Sequence, residues 1–152
     1  MKKIILILAC IAVFTSSCNS TKSSTTDENT TATKENNLSG LDGIWELNYI
    51  SGTKIAFEGL YPDKKPFLSF NTKDGRVSGN SGCNSFTGSM SVSNSYLHFD
   101  DSMAMTKMFC PGNGESNFLD GLKKINGYSI SDEGKTLNLL SGDVAIMRFE
   151  KK

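Results

Sequence analysis

The sequence predicts a mostly β fold with one α-helix, an antiparallel sheet curled into a small barrel. Three observations lead there. From residue 41 onward, short runs of alternating apolar and polar residues recur at close spacing. Tight-turn residues separate them, and one segment alone changes to helical spacing. Strands this short, joined by turns this tight, close into small barrels.

The runs follow in order. "IWELNYI" (44–50) places Trp45, Leu47 and Tyr49 on one side and Ile44, Glu46, Asn48 and Ile50 on the other, so one face is apolar and one mixed. "PFLSFN" (66–71) and "GRVSGN" (75–80) flank Thr72–Gly75, whose Asp-Gly pair signals a hairpin. "FTGSMSV" (86–92) and "SYLHFD" (95–100) flank a turn at Ser93-Asn94. "GYSISD" (127–132), "TLNLLS" (136–141) and "VAIMRFE" (144–150) follow, joined by Glu133-Gly134-Lys135 and Gly142-Asp143. The exception is "ESNFLDGLKKI" (115–125). There Phe118, Leu119, Leu122 and Ile125 share a helical stripe. Asn113 is the expected N-cap, Glu115 suits the first turn, Lys123 and Lys124 the last, and Gly127 the exit. Such a helix would plug one end of the barrel with its apolar stripe.

The first 40 residues read differently. Met1-Lys2-Lys3 and the eleven apolar residues Ile4 to Phe14 have the layout of a signal peptide. The run is too short for a helix that spans a bilayer, which needs roughly 20 residues. Thr15-Ser16-Ser17-Cys18 resembles the lipobox of bacterial lipoproteins, with Thr15 where leucine is usual. The expected layout is therefore a signal peptide over 1–17, a lipidated Cys18 opening a disordered tether over 18–40, and a folded domain over 41–152. Cys10 after "ILA", or ordinary cleavage near Ser17, are the competing readings. Asn19, rather than aspartate, after the lipidated cysteine points to the outer membrane of a Gram-negative cell. "NSTKSSTTDENTTATKENNLSG" (19–40) holds too little apolar surface to offset its ordering entropy. As a soft coil it reaches ~25 Å.

Composition narrows the chemistry. Residues 41–152 carry 12 basic and 13 acidic side chains, so no cationic surface for nucleic acid is expected. His98 is the single histidine, which removes most histidine-based catalysis and multi-histidine metal sites. It shares a strand face with Tyr96 and Asp100, a weak general-base arrangement or a plain solvent-facing stripe. "DEGKT" (132–136) lacks the glycine and following helix of a phosphate-binding loop. "SGNSG" lacks the spacing of a nucleophile elbow. Cys83, Cys110 and His98 could in principle make a three-ligand zinc set, but no close-spaced pair supports one. Neither a metal nor a cofactor is expected.

With Cys10 in the signal peptide and Cys18 lipidated, Cys83 and Cys110 remain in a compartment that permits disulfides. A bond between them is the favoured reading. Buried free thiols and reactive thiols are the others, the last poorly supplied with neighbouring cations.

The motifs together resemble the META domain, also called the heat-shock protein HslJ family. The carriers are Gly79, Gly82, Cys83, Asn84, Phe86 and Gly88 in "VSGNSGCNSFTGSM". Next come Ala104, Thr106, Lys107, Met108 and Cys110 in "AMTKMFC". Glu115, Phe118, Leu119 and Leu122 follow, with Trp45 at the start. Met90 stands where a tyrosine is common. The resemblance implies a small antiparallel barrel-like envelope protein, often a lipoprotein, loosely linked to heat shock, motility and drug tolerance. It implies no catalytic residue. The expected function is thus that of a lipid-anchored, non-enzymatic envelope protein with a stress or macromolecular-interaction role. Its partners would be the membrane, through the lipid on Cys18, and an envelope protein. The alternative is a binder of a small apolar molecule at the barrel interior or mouth.

Overall fold

Alternating side chains need two environments, and a curled sheet supplies them. The computed structural model describes residues 38–152. Its elements are α1 (Leu38–Leu41), β1 (Gly43–Ile50), α2 (Phe57–Leu60), β2 (Phe67–Asn71), β3 (Arg76–Asn80), β4 (Ser85–Ser93) and β5 (Tyr96–Phe99). Then come β6 (Ala104–Met105), α3 (Gly114–Leu122), β7 (Gly127–Ser131), β8 (Thr136–Ser141) and β9 (Val144–Lys151). The strands pair antiparallel in the order β5-β4-β3-β2-β1-β9-β8-β7, with β6 attached to β4. The outer strands β5 and β7 come together, where Tyr128 N–H donates to the Ser95 carbonyl at 2.8 Å. The sheet is therefore nearly closed into a barrel, as the sequence predicts. No helix among the described residues is long and apolar enough to cross a membrane.

The interior is filled. Trp45, Leu47, Leu68, Leu97, Leu137, Leu139, Met147 and Phe149 are fully buried. Trp45 also donates its indole N–H to the Leu41 carbonyl at 2.8 Å, which satisfies the one polar atom it takes into the core. α3 buries Phe118 and Leu122 in this cluster, and Ile125 joins them from just past the helix. The stripe is buried as core packing requires, with Leu119 partly buried against it.

Several local expectations are corrected. In β1 the alternation does not run through. The register against β9 shifts between Leu47 and Tyr49, so Asn48 is an extra residue on its strand. A bulge of this kind turns the following side chains over. Ile50 is consequently buried and Tyr49 exposed, the reverse of the strict period. α3 ends at Leu122, so Lys123 and Lys124 lie beyond its last turn, and Gly127 opens β7 instead of closing the helix. Asn113 does occupy the N-cap position, as expected, but makes no side-chain hydrogen bond there. One-turn helices α1 and α2, the two-residue strand β6 and a 3-10 turn at Asp132–Gly134 are additions to the predicted list.

Candidate functional site

The two cysteine motifs meet at one end of the barrel. The β3–β4 hairpin brings up Asn80 to Ser85, and the segment from β6 to the start of α3 brings up Thr106 to Glu115. Two glycines make the hairpin possible. A Cβ on Gly79 would clash with the Phe67 carbonyl oxygen of the neighbouring strand and stand 2.8 Å from the Phe86 ring. Gly82 has φ +94, in the region that favours glycine, and packs on the Tyr61 ring. Asn80 closes the turn by accepting from Gly82 N–H at 3.0 Å and donating to the Cys83 carbonyl at 3.2 Å.

Cys83 and Cys110 are bonded to each other, with Cα atoms 6.0 Å apart. Of the sequence alternatives, the disulfide is the one the structure adopts.

Asn84 organises the rest. It is only 2% exposed, and its side chain spans both segments. Oδ1 accepts from Met108 N–H and from the Thr106 hydroxyl, both at 2.8 Å. Nδ2 shares its two hydrogens among the Met108 carbonyl at 3.1 Å, Cys110 Sγ at 3.0 Å and Glu115 Oε1 at 3.2 Å. The amide thus pairs both backbone groups of Met108, as a neighbouring strand would. Thr106 Oγ1 in turn accepts from Ser85 N–H at 3.1 Å. Glu115 Oε2 accepts from the Ser81 hydroxyl and from Asn84 N–H. Among the described residues no buried side-chain nitrogen or oxygen lacks a partner.

The predicted motif residues therefore divide. Gly79, Gly82, Cys83, Asn84, Thr106 and Cys110 build the joint. Met108 contributes its backbone and leaves its side chain 61% exposed. Lys107 is exposed beside it. Sequence reasoning missed Ser81, fully buried, and assigned Glu115 only a helix-end role. The signal for Glu115 was its position opening the helix after the second cysteine. The signal for Ser81 was a hydroxyl flanked by turn-formers. Tyr61 and Gly114 were also missed. Tyr61 Oη donates to the Gly114 carbonyl at 2.9 Å, and burial pushes the phenol pKa up to about 12.

A cleft of about 150 Å³ opens beside the disulfide, lined by Tyr61, Lys64, Gly82, Cys110, Pro111 and Glu115 among others. Cys83, Cys110 and Glu115 place ligand-type atoms within 4.8 Å of one another, but the two sulfurs are bonded and offer no thiolate. His98 is not in that group. On its strand Leu97 and Phe99 are buried while Tyr96 is exposed, with its ring 6.5 Å from the His98 ring. This is the layout of the solvent-facing stripe. Cys18 lies outside the described residues.

The META-domain family model matches residues 36–152. The chain belongs to the META-domain family. The META domain of this chain is similar to an NMR structure of a protein from Burkholderia xenovorans. Identity is 25%, coverage 76% of this chain and 86% of that one, and the TM-score 0.58. It is also similar in fold to the crystal structure of a DUF4847 family protein from Bacteroides vulgatus ATCC 8482. There identity is 12%, coverage 74% of this chain and 94% of that one, and the TM-score 0.50. No curated protein matches the chain.

Proposed function

We propose that this chain is a lipid-anchored protein of the bacterial cell envelope, held at the outer membrane through Cys18, whose META domain is a non-enzymatic interaction module. The observation that carries the non-enzymatic reading is the state of the polar motif residues. Ser81, Asn84, Thr106 and Glu115 direct their hydrogen-bonding groups at one another and at backbone. A general base or nucleophile needs a free lone pair within reach of substrate. The filled interior supports a macromolecular partner over a small molecule held inside the barrel. Two open clefts favour the small-ligand alternative: one of about 360 Å³ lined by Phe86, Thr87, Ala104 and Met105 among others, and one of about 450 Å³ lined by Gly40, Ser95, Tyr128 and Ile130 among others.

The anchor is tested by fractionating cells that express the Cys18→Ser chain. Loss from the membrane fraction is expected, and unchanged fractionation refutes it. The module reading is tested by crosslinking in intact envelopes, with wild-type recovery of partners expected from the His98→Ala chain.

A further inference from the structure

We propose that the loop Lys107–Phe109 is a membrane-contacting element that rests the META domain on the bilayer to which Cys18 tethers it. The inference rests on the anchor reading above and adds an orientation to it. Phe109 is 92% exposed and Met108 61% exposed, side by side; the strands also expose Val144, Ile44, Tyr49 and Tyr96, but Met108 and Phe109 are adjacent in one loop and Phe109 is the most exposed of all. A flexible loop would fold such groups against the surface. This one is held outward, because Asn84 pairs both backbone groups of Met108, and Cys110, directly after Phe109, is bonded to Cys83. Two protruding apolar tips beside a lysine match the interface of an anionic bilayer. The tips enter the acyl boundary and the ammonium stays among the headgroups. Lys107 supplies that cation; in the adjoining cleft Lys64 holds its ammonium over the Phe67 ring, and Asp63 and the hydrogen-bonded Glu115 are the acids there.

The length expected of the tether is compatible with this orientation. Gly40 lines a cleft with Asn94 and Ser95, at the far end of β4, whereas Ser85 at its near end meets Thr106. β4 runs Ser85–Ser93, so the two sites stand ~27 Å apart along the strand. The tether that the sequence predicts over 18–40, most of it outside the described residues, would reach ~25 Å if it behaves as a soft coil. A loop seated on the bilayer thus leaves the start of the domain within reach of the anchor. Tethering at that distance makes even weak insertion effective.

The test uses the mature lipidated chain carrying Phe109→Trp, reconstituted in vesicles of phosphatidylethanolamine and phosphatidylglycerol with brominated acyl chains. Trp45 is fully buried and serves as the unquenched background. A blue shift and loss of the added emission are expected. The same reporter in the Cys18→Ser chain, added to vesicles from solution, should bind weakly. Met108→Ser there should weaken co-sedimentation about tenfold, the cost of one apolar side chain. Emission that is neither shifted nor quenched in the lipidated chain overturns the proposal, as does a photo-crosslinker at position 109 that captures one envelope protein and no lipid. Failure of the anchor reads out separately, as an N-terminal peptide without lipid mass.

Discussion

Replacing Asn84 with alanine tests the joint most directly. The substitution removes one amide that serves Met108 N–H, Met108 C=O, the Thr106 hydroxyl, Glu115 Oε1 and Cys110 Sγ. A hydrogen bond contributes ~1 kcal/mol net, and a buried group left unpaired costs ~1–3 kcal/mol. Met108 and Thr106 lie near water and recover part of the loss, the sulfur bond is weak, and the Glu115 carboxylate loses one donor but keeps two. The expected destabilisation is ~3–5 kcal/mol, a large share of the ~5–15 kcal/mol typical of a domain. Urea unfolding followed by the fluorescence of Trp45, with the disulfide intact, measures it. The midpoint should fall with the slope unchanged. A change no larger than the ~0.5 kcal/mol of an ordinary surface substitution would refute the reasoning. Asn84→Asp sharpens the test. It keeps both acceptances at Oδ1 but turns a carboxylate oxygen toward Glu115 and the Met108 carbonyl. Like charge raises the pKa of the new acid in the folded state, so the variant should be least stable at neutral pH and recover below ~4.

Three further outcomes follow from the same geometry. Removing the disulfide as the paired Cys83→Ala and Cys110→Ala variant should cost ~3–4 kcal/mol in urea unfolding, because residues 83 to 110 no longer form a closed loop in the unfolded chain. Gly79→Ala should cost roughly 3 kcal/mol or prevent folding, since its Cβ would meet the Phe67 carbonyl oxygen; circular dichroism melts compare it with the milder Gly142→Ala turn variant. Tyr61 has a folded-state pKa raised above its ordinary value of 10, so its contribution is complete below pH 10 and fades as pH rises through about 12. Tyr61→Phe should lose ~1 kcal/mol at neutral pH and show a flatter stability profile between those limits.

The strands were legible because their burial is periodic. Thr136–Ser141 keeps Leu137 and Leu139 inward, as alternation requires. Turns were legible where a single residue type dictates the backbone, as at Gly75 and Gly142, both with positive φ. What escaped depends on long-range pairing. The bulge at Asn48 leaves no local mark, because it is fixed by β9, where Glu150 accepts from Asn48 Nδ2 and Arg148 donates to its Oδ1. The Glu115 role escaped for the same reason. A glutamate at a helix start satisfies the macrodipole rule, and only the fold shows that its carboxylate turns to Ser81 and Asn84, more than 30 residues away. The Cys83–Cys110 pairing was accessible by counting, since residues 41–152 hold two cysteines and these can make one intramolecular bond.

On the reading proposed above, a motif rich in serine, asparagine, cysteine and glutamate serves the structure. Each of its groups is charged with holding another. Ser81 gives its proton to Glu115 and accepts from Asn84 N–H. Thr106 gives its proton to Asn84 and accepts from Ser85 N–H. Cys83 and Cys110 consume each other. A set so mutually satisfied has little left with which to polarise or attack a substrate, and it is rigid for the same reason. Rigidity in a joint is of use to whatever the joint displays. Here that is Lys107, Met108 and Phe109, the residues the network positions and does not itself bury. Variation of the buried residues should therefore register as loss of stability, and variation of these three as loss of contact with whatever surface the domain meets, at unchanged stability.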